Sequence, residues 1–165
     1  MGFAPEPESL PDQLTGAQLL ELVASAKSVR GFDVSDLEEM SEQFDMTDKL
    51  NDEIGTYSRG MRQKTSILLA LVGCPKLVVL DESLAGLDPV SAYALKNYLR
   101  RTADDEEIAI LLSSHILETI EKYCSRIVIL VDGCVRRVHS REEIQEIRRT
   151  TGMDLEELFI QMVTD

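Results

Sequence analysis

The fold of this chain is decided by residues 77–82, which read Leu-Val-Val-Leu-Asp-Glu. Four consecutive apolar residues are typical of a strand that is buried on both faces of a parallel sheet. Two adjacent carboxylates, Asp81 and Glu82, follow at once. Because open α/β sheets place their sites just beyond the carboxyl ends of the strands, this pair is a candidate functional site. A strand that simply enters a polar loop would show the same pattern.

Strands and helices alternate after this stretch. Two further apolar runs, at residues 108–112 and 127–131, predict buried strands. Helical patterns lie around these strands, at residues 59–72, 89–102, 116–124, 141–150 and 155–163. The order strand, helix, strand, helix, strand predicts a parallel sheet with right-handed crossovers. Asp132 and Gly133 predict a hairpin turn into a last strand at residues 135–138.

The first 56 residues have a different character. Residues 1–11 are rich in proline and glutamate and predict a loop. Helical patterns follow at residues 15–29, 35–44 and 46–51. We therefore expect three parts: a helical subdomain at residues 1–56, part of an α/β core at residues 57–140, and C-terminal helices at residues 141–165.

The helix that begins near residue 59 has an unusual start. Ser58 is a suitable N-cap, but Arg59, Arg62 and Lys64 place three cations in the first two turns. The helix dipole disfavours positive charge there, so such a start suits an external anion such as phosphate.

Two other polar positions have ordinary structural interpretations. Asp88 followed by Pro89 is a standard helix start. His115 follows the second predicted strand, and a lone histidine at such a place is usually structural. Its expected position on the same sheet edge as Asp81 and Glu82 also makes it a candidate for the site.

In their order and spacing, these segments resemble the second half of an ABC transporter nucleotide-binding domain, an ATPase of the P-loop NTPase fold. Tyr57 to Met61 resembles the signature motif, usually written LSGGQ, with Arg59 in place of its first glycine. Leu77 to Glu82 resembles the Walker B strand, and Ala85 to Asp88 resembles the D-loop. His115 stands at the switch histidine, and residues 2–6 resemble the Q-loop segment. The resemblance covers essentially the whole chain.

The resemblance implies ATP and Mg²⁺ as ligands and a role for each matched residue. Asp81 would serve the metal, Glu82 would activate water, and His115 would contact the γ-phosphate. Nucleotide contacts are implied for Ser58, Arg59, Gly60, Met61, Asp88 and Glu6. Glutamine is commonest at the position of Glu6.

One motif of the family does not occur in the sequence. The Walker A loop, G-x-x-x-x-G-K-S/T, supplies the backbone amides and the lysine that hold the β- and γ-phosphates, and the chain has no glycine-lysine pair. We therefore expect the parent protein to be an ATPase and the isolated chain to be inactive. The alternative is a natural truncated, non-catalytic module that pairs with or regulates a full-length ABC ATPase. The chain would otherwise be a fragment of a longer enzyme.

The family also implies partners. Its ATPase domains work as head-to-tail dimers, in which the signature segment of one domain covers the nucleotide of the other, and they drive a membrane-spanning permease. The sequences of residues 57–63, 113–118 and 155–159 are similar to those of bacterial drug, antibiotic or lipid exporters. This similarity implies a cytoplasmic protein held at the inner face of the membrane. Residues 155–159 imply that Asp165 lies at or near the natural C-terminus. The net charge of −13 argues against binding to nucleic acid or to anionic lipid.

The missing Walker A strand predicts a gap in the sheet. In the family it lies between the strands that correspond to residues 108–112 and 127–131, both too apolar to be stable as water-facing edges. Either these two strands pair directly or another chain fills the gap, and we expect self-association.

Overall fold

The computed structural model describes residues 1–29, 38–105 and 108–164. The chain divides into two compact units, residues 1–113 and residues 114–165. The first unit is an α/β unit with a parallel sheet, as the sequence predicts, and the second contains a hairpin with three helices.

The sheet of the first unit has three parallel strands in the order β1-β2-β3. They are β1 (Gly2–Phe3), β2 (Leu77–Asp81) and β3 (Ala109–Ser113). In the register of β2 and β3, Leu77 lies opposite Ala109 and Asp81 lies opposite Ser113. The polar ends of both strands therefore meet at the same edge of the sheet.

Strand β1 corrects the prediction that residues 1–11 form a loop. Gly2 pairs with Val78, and the N–H of Ala4 extends the contact by donating to the carbonyl of Val79 at 3.1 Å. A Cβ added at Gly2 would lie 1.7 Å from the carbonyl oxygen of Ala70. Two residues are too few for a periodic pattern, so this strand depends on close packing that its sequence does not reveal.

The described residues of the first unit form the α-helices α1 (Gly16–Ala26), α2 (Glu38–Gln43), α3 (Arg59–Leu71) and α4 (Pro89–Asp105). Thr15 begins α1 with a capping box, in which Gln18 is the reciprocal partner. Residues 35–37, at the start of the predicted acidic helix, lie outside the described residues. The predicted helix at 46–51 is shorter in the structure, a single 3-10 turn at Thr47–Lys49. Further 3-10 turns are Pro7–Ser9 and Ile54–Thr56.

One hydrophobic core holds the helices against the sheet. Helix α3 is buried along most of its length, and Ile67 and Leu68 have no exposed surface. It packs on β2, where Val78 and Leu80 are also fully buried. Burying one such side chain contributes about 1.5–3 kcal/mol, so α3 anchors the strand that carries Asp81.

The second unit contains α5 (Leu117–Tyr123), β4 (Arg126–Val131), β5 (Cys134–Ser140), α6 (Arg141–Thr151) and α7 (Leu155–Thr164). Strands β4 and β5 form an antiparallel hairpin. Asp132 and Gly133 connect them with φ values of 51° and 74°. Positive φ at both central residues matches the right-handed twist of the two strands, and the predicted turn is confirmed.

The third predicted strand of the parallel sheet is wrong in its pairing. Within the described residues β3 is the last strand of its sheet, and β4 pairs only with β5. The direct pairing of the strands at residues 108–112 and 127–131 is therefore not formed. A two-residue turn brings β5 beside β4 at little cost in loop closure, which favours the local hairpin.

Candidate functional site at the carboxyl edge of the sheet

Asp81 and Glu82 stand at the end of β2, and both are exposed. Glu82 has a φ of 46°, in the left-handed region that non-glycine residues rarely adopt. The N–H of Ala85 donates to the carbonyl of Glu82 at 3.0 Å and closes a turn. The Ser83 hydroxyl, which is buried, donates to the carbonyl of Asp81 at 3.2 Å. The chain therefore turns sharply after the strand and leaves both carboxylates at its outer edge.

Ser113 joins these two residues and was missed by the sequence analysis as a site residue. Its hydroxyl donates to Oδ1 of Asp81 and accepts the N–H of Glu82 at 3.0 Å. The contact follows from the register, because Asp81 and Ser113 are paired across the two strands. Neighbouring parallel strands end at the same edge, and that was the signal that could have identified Ser113.

The second group of candidates surrounds the start of α3. The Ser58 side chain caps the helix by accepting the N–H of Met61 at 3.2 Å. Ser58 is exposed and Gly60 is half-buried, so the predicted exposure of this helix start is confirmed for Ser58. A Cβ added at Gly60 would lie 3.6 Å from the carbonyl oxygen of Gly86. The segments that resemble the signature motif and the D-loop are therefore neighbours within the unit.

Arg62 and Lys64 have partners inside the unit, so their charge does not by itself indicate an external anion at the start of α3. Arg62, whose side chain is largely buried, forms an ion pair with Asp12. Lys64 donates to the carbonyl of Phe44 at 2.7 Å. The partners are 50 and 20 residues away in the chain, so the local sequence could not indicate them.

Arg59 lies along the outside of the same helix start. Its Nε is 3.9 Å from Oε1 of Glu8, and both side chains are largely exposed. A Cβ added at Gly86, which has a φ of 81°, would come within 3.4 Å of the same Nε. Arg59 therefore bridges the segment after Glu6 and the turn that resembles the D-loop.

Asp88 caps α4, as the sequence predicts. Its carboxylate accepts the N–H groups of Val90 and Ser91, each at 3.0 Å. A hydrogen bond from the Ser91 side chain and the backbone bonds favour the charged form, and they lower the pKa of Asp88 below its usual value.

Glu6 and His115 are the two remaining candidates. Glu6 is exposed, and its carbonyl accepts the Ser9 hydroxyl at 2.6 Å in the turn that follows. Among the described residues its carboxylate has no hydrogen bond or ion pair. His115 is an exposed residue just before α5 and belongs to the second unit.

Comparison with known families decides the identity of this arrangement. Residues 3–85, which include the start of α3, strand β2 and the two carboxylates, match the ABC transporter family. The chain belongs to the ABC transporter family.

Curated relatives agree with this assignment. The chain is 35% identical over 108 residues to an uncharacterized ABC transporter ATP-binding protein, YhcH, of Bacillus subtilis, covering 66% of this chain and 35% of that protein. It is 34% identical over 137 residues to the human retinal-specific phospholipid-transporting ATPase ABCA4, covering 82% of this chain and 6% of that protein. The chain thus spans only a minor part of these relatives.

Solved structures share the fold. The structure of an ATP binding subunit of an ABC transporter superposes with a TM-score of 0.79 at 32% identity, covering 98% of this chain and 67% of that chain. A dimeric ATP-binding cassette in a post-hydrolysis state, bound to ADP and Pi, gives a TM-score of 0.72 at 21% identity, covering 85% of this chain and 62% of that chain. At that identity the second similarity concerns the fold alone.

The carboxylates of Asp81 and Glu82 at the sheet edge fit the ligand needs of a magnesium–nucleotide complex. In the described ranges, His, Cys, Asp and Glu side chains form no cluster of three or more that could hold a metal ion. Mg²⁺ is usually held by one or two carboxylates together with substrate phosphates and water. Asp81 and Glu82 offer such carboxylates.

No helix in the described ranges is both long and apolar enough to span a membrane.

Proposed function

We propose that this chain is part of the ATP-binding subunit of an ABC transporter, and that the complete subunit couples ATP hydrolysis to export through a membrane-spanning partner. The observation that carries the proposal is the start of α3, where Ser58 is exposed and Gly60 lies beside Gly86. A family match over residues 3–85 adds to it. Such a surface fits the nucleotide of a second ATPase domain in a head-to-tail dimer.

The roles of the carboxylates follow from the chemistry of phosphoryl transfer, in which positioning and charge stabilisation dominate. Asp81 would hold the magnesium ion that neutralises charge on the phosphates. Glu82 would orient the attacking water and accept its proton. His115 would contact the γ-phosphate, and Glu6 would sense the magnesium ion and the γ-phosphate. Each role is a proposal for the complete subunit.

The start of α3 would act on the partner's nucleotide. The free backbone amides of a helix N-terminus and a serine hydroxyl are good donors to phosphate. Ser58 and Gly60 would provide these donors, with Arg59 and Met61 at the edge of the contact. Asp88 would act across the same interface from the N-terminus of α4.

The direction and cargo of transport rest on the resemblance to drug, antibiotic or lipid exporters. One relative, human ABCA4, carries phospholipid transport in its name, which supports a lipid-like or amphiphilic cargo. The chain would then lie at the cytoplasmic face of the membrane through its permease. The resemblance to the family implies that the permease selects the cargo.

The alternative is a non-catalytic module that pairs with a full-length ABC ATPase. The observations that favour it are that Ser58 at the start of α3 is exposed and that the given sequence contains no glycine-lysine pair of a Walker A loop. The transporter subunit and the non-catalytic module both require ATP-dependent docking to a second ATPase domain. They differ in whether Glu82 activates water for hydrolysis.

ATP-dependent docking is the experiment that tests the shared proposal. The chain is mixed with the solved ATP-binding subunit to which it is 32% identical. ATP hydrolysis by that subunit is blocked, and formation of the complex is measured by analytical ultracentrifugation. We expect a complex that requires ATP and is lost in Ser58→Asp. Aspartate is as good an N-cap as serine but repels phosphate, so the helix is retained.

The matched control is Ser140→Asp. Ser140 caps α6 by accepting the N–H of Glu143 at 3.2 Å, so it receives the same change at another helix start. This variant should keep ATP-dependent docking. Docking that does not need ATP, or that survives Ser58→Asp, would refute the proposed role of the signature segment.

A further inference from the structure

We propose that Ser113 is a positioning residue that orients Asp81 and fixes the backbone of Glu82 at the Walker B end. The catalytic meaning of this role rests on the proposed ATPase function and deepens it. The geometric part stands on the contacts of the first unit and can be tested without ATP.

The Ser113 hydroxyl uses both of its hydrogen-bonding capacities on the two neighbouring residues. The N–H of Glu82 donates to Oγ of Ser113 at 3.0 Å, and the same hydroxyl donates to Oδ1 of Asp81. A relay from N–H to hydroxyl to carboxylate is polarised along its length, and its bonds strengthen one another. The parallel register places Ser113 directly opposite Asp81 and so makes the relay possible.

The backbone of Glu82 needs such a contact. A non-glycine residue with a φ of 46° is held in an unfavourable conformation, which persists only where the surroundings fix it. Two hydrogen bonds do so here, one to Ser113 from the N–H of Glu82 and one to its carbonyl from the N–H of Ala85. Without the first, the start of the turn would lose its link to β3.

The orientation of Asp81 follows from the same hydroxyl. Its Oδ1 is engaged by Ser113, whereas Oδ2 accepts no hydrogen bond from any described residue. A carboxylate held by one oxygen presents the other in a fixed direction, which suits a cation that demands near-ideal octahedral geometry. Supporting hydrogen bonds of this kind set the orientation of metal-binding carboxylates.

Amide hydrogen exchange of the chain tests the contact directly. Ser113→Ala should speed exchange at the Glu82 amide by roughly three- to tenfold, the range expected for the loss of one hydrogen bond. Ser113 is 31 residues away, so the intrinsic chemistry of this amide does not change. Exchange at Leu80 and Leu112 should change less than exchange at Glu82, and the melting temperature should fall by only about 2–4 °C.

Two further variants separate positioning from a general structural effect. Ser113→Thr retains the hydroxyl and should restore slow exchange at Glu82. Ser114→Ala is the matched control, because the Ser114 hydroxyl accepts the N–H of Ile116 at 3.1 Å and belongs to a different turn. It should leave the Glu82 amide unchanged.

The Asp81 carboxyl provides a spectroscopic signature. At neutral pH its ¹³C resonance should shift in Ser113→Ala and remain in place in Ser113→Thr and Ser114→Ala. Unchanged exchange at Glu82 in Ser113→Ala, no restoration by threonine, or an unmoved Asp81 resonance would each overturn the inference. Amide exchange at Glu82 and the Asp81 resonance are both measured without ATP. A failure of the proposed ATPase function would therefore leave both results unchanged, and the two failures can be distinguished.

Discussion

Gly2 is the residue on which the first strand depends. Its Cα faces the carbonyl of Ala70 so closely that a Cβ would lie 1.7 Å from that oxygen and 3.0 Å from Cγ of Pro75. The neighbour at 1.7 Å is backbone in α3, which cannot move aside as the end of a side chain can. Any larger residue must therefore displace β1 or α3.

Gly2→Ala should lower the free energy of unfolding by about 1–3 kcal/mol, the usual cost of an overpacked site, as measured by urea denaturation. The comparison variant is Gly133→Ala. Gly133 has a φ of 74° with nothing within 4 Å of its would-be Cβ, so this change introduces backbone strain alone. Equal stability of Gly2→Ala and the native chain would show that β1 is not packed against α3 as described.

At the scale of elements, helix starts and hairpin turns were predictable, whereas contacts between distant segments were not. Thr15, Ser58 and Asp88 cap their helices through side chains that act within three residues, and such local chemistry can be seen in the sequence. The partners of Arg62 and Lys64 cannot, because their choice depends on the whole fold.

Helix α4 allows a pH test of its cap. The pKa of Asp88 is lowered from its usual value of 3.8 by the bonds from Ser91 and Val90. A carboxyl group whose pKa falls on folding stabilises the folded state above the unfolded pKa, and this stabilisation is lost as the pH falls through the folded value. The difference in melting temperature between the native chain and Asp88→Ala should be constant from pH 7 to about pH 5 and shrink below about pH 4.

Asp88→Asn is the control, because asparagine is an equally good N-cap that does not titrate. The difference in melting temperature between Asp88→Asn and Asp88→Ala should therefore not shrink below about pH 4, unlike the difference between the native chain and Asp88→Ala. A native-to-alanine difference that grows as the pH falls would contradict the cap.

On the scale of the whole molecule, one face of the three-stranded sheet is apolar and exposed. Phe3, Val79 and Leu111 lie side by side across its strands, and Phe3 and Leu111 are 54% and 57% exposed. In the described residues β3 also has no partner on its outer side. Such surfaces favour association with another chain.

We expect the chain to self-associate in light scattering, and Leu111→Glu to shift it towards the monomer. Leu22→Glu is the matched control, because Leu22 is also 57% exposed but lies on α1 rather than on the sheet. A monomeric native chain, or equal effects of the two substitutions, would contradict the role given to the sheet.

The alternation of strands and helices and the order of the motifs could be predicted from the sequence, and so could the exposure of Ser58 and the place of Asp81 and Glu82 at the end of a strand. The separate hairpin, strand β1 and the bridging hydroxyl of Ser113 could not, because each depends on a register or a close approach between distant segments.

We propose that this chain carries the hydrolytic carboxylates of an ABC ATPase and that hydrolysis requires a phosphate-binding loop that the given sequence does not contain. The direct measurement is steady-state hydrolysis of magnesium–ATP by the isolated chain and by a chimera that joins the phosphate-binding part of the solved ATP-binding subunit to Met1. We predict no hydrolysis by the chain, hydrolysis by the chimera, and its loss in the Glu82→Gln chimera. Phosphate release by the isolated chain that disappears with Glu82→Gln, or a folded chimera whose hydrolysis survives that substitution, would contradict the account.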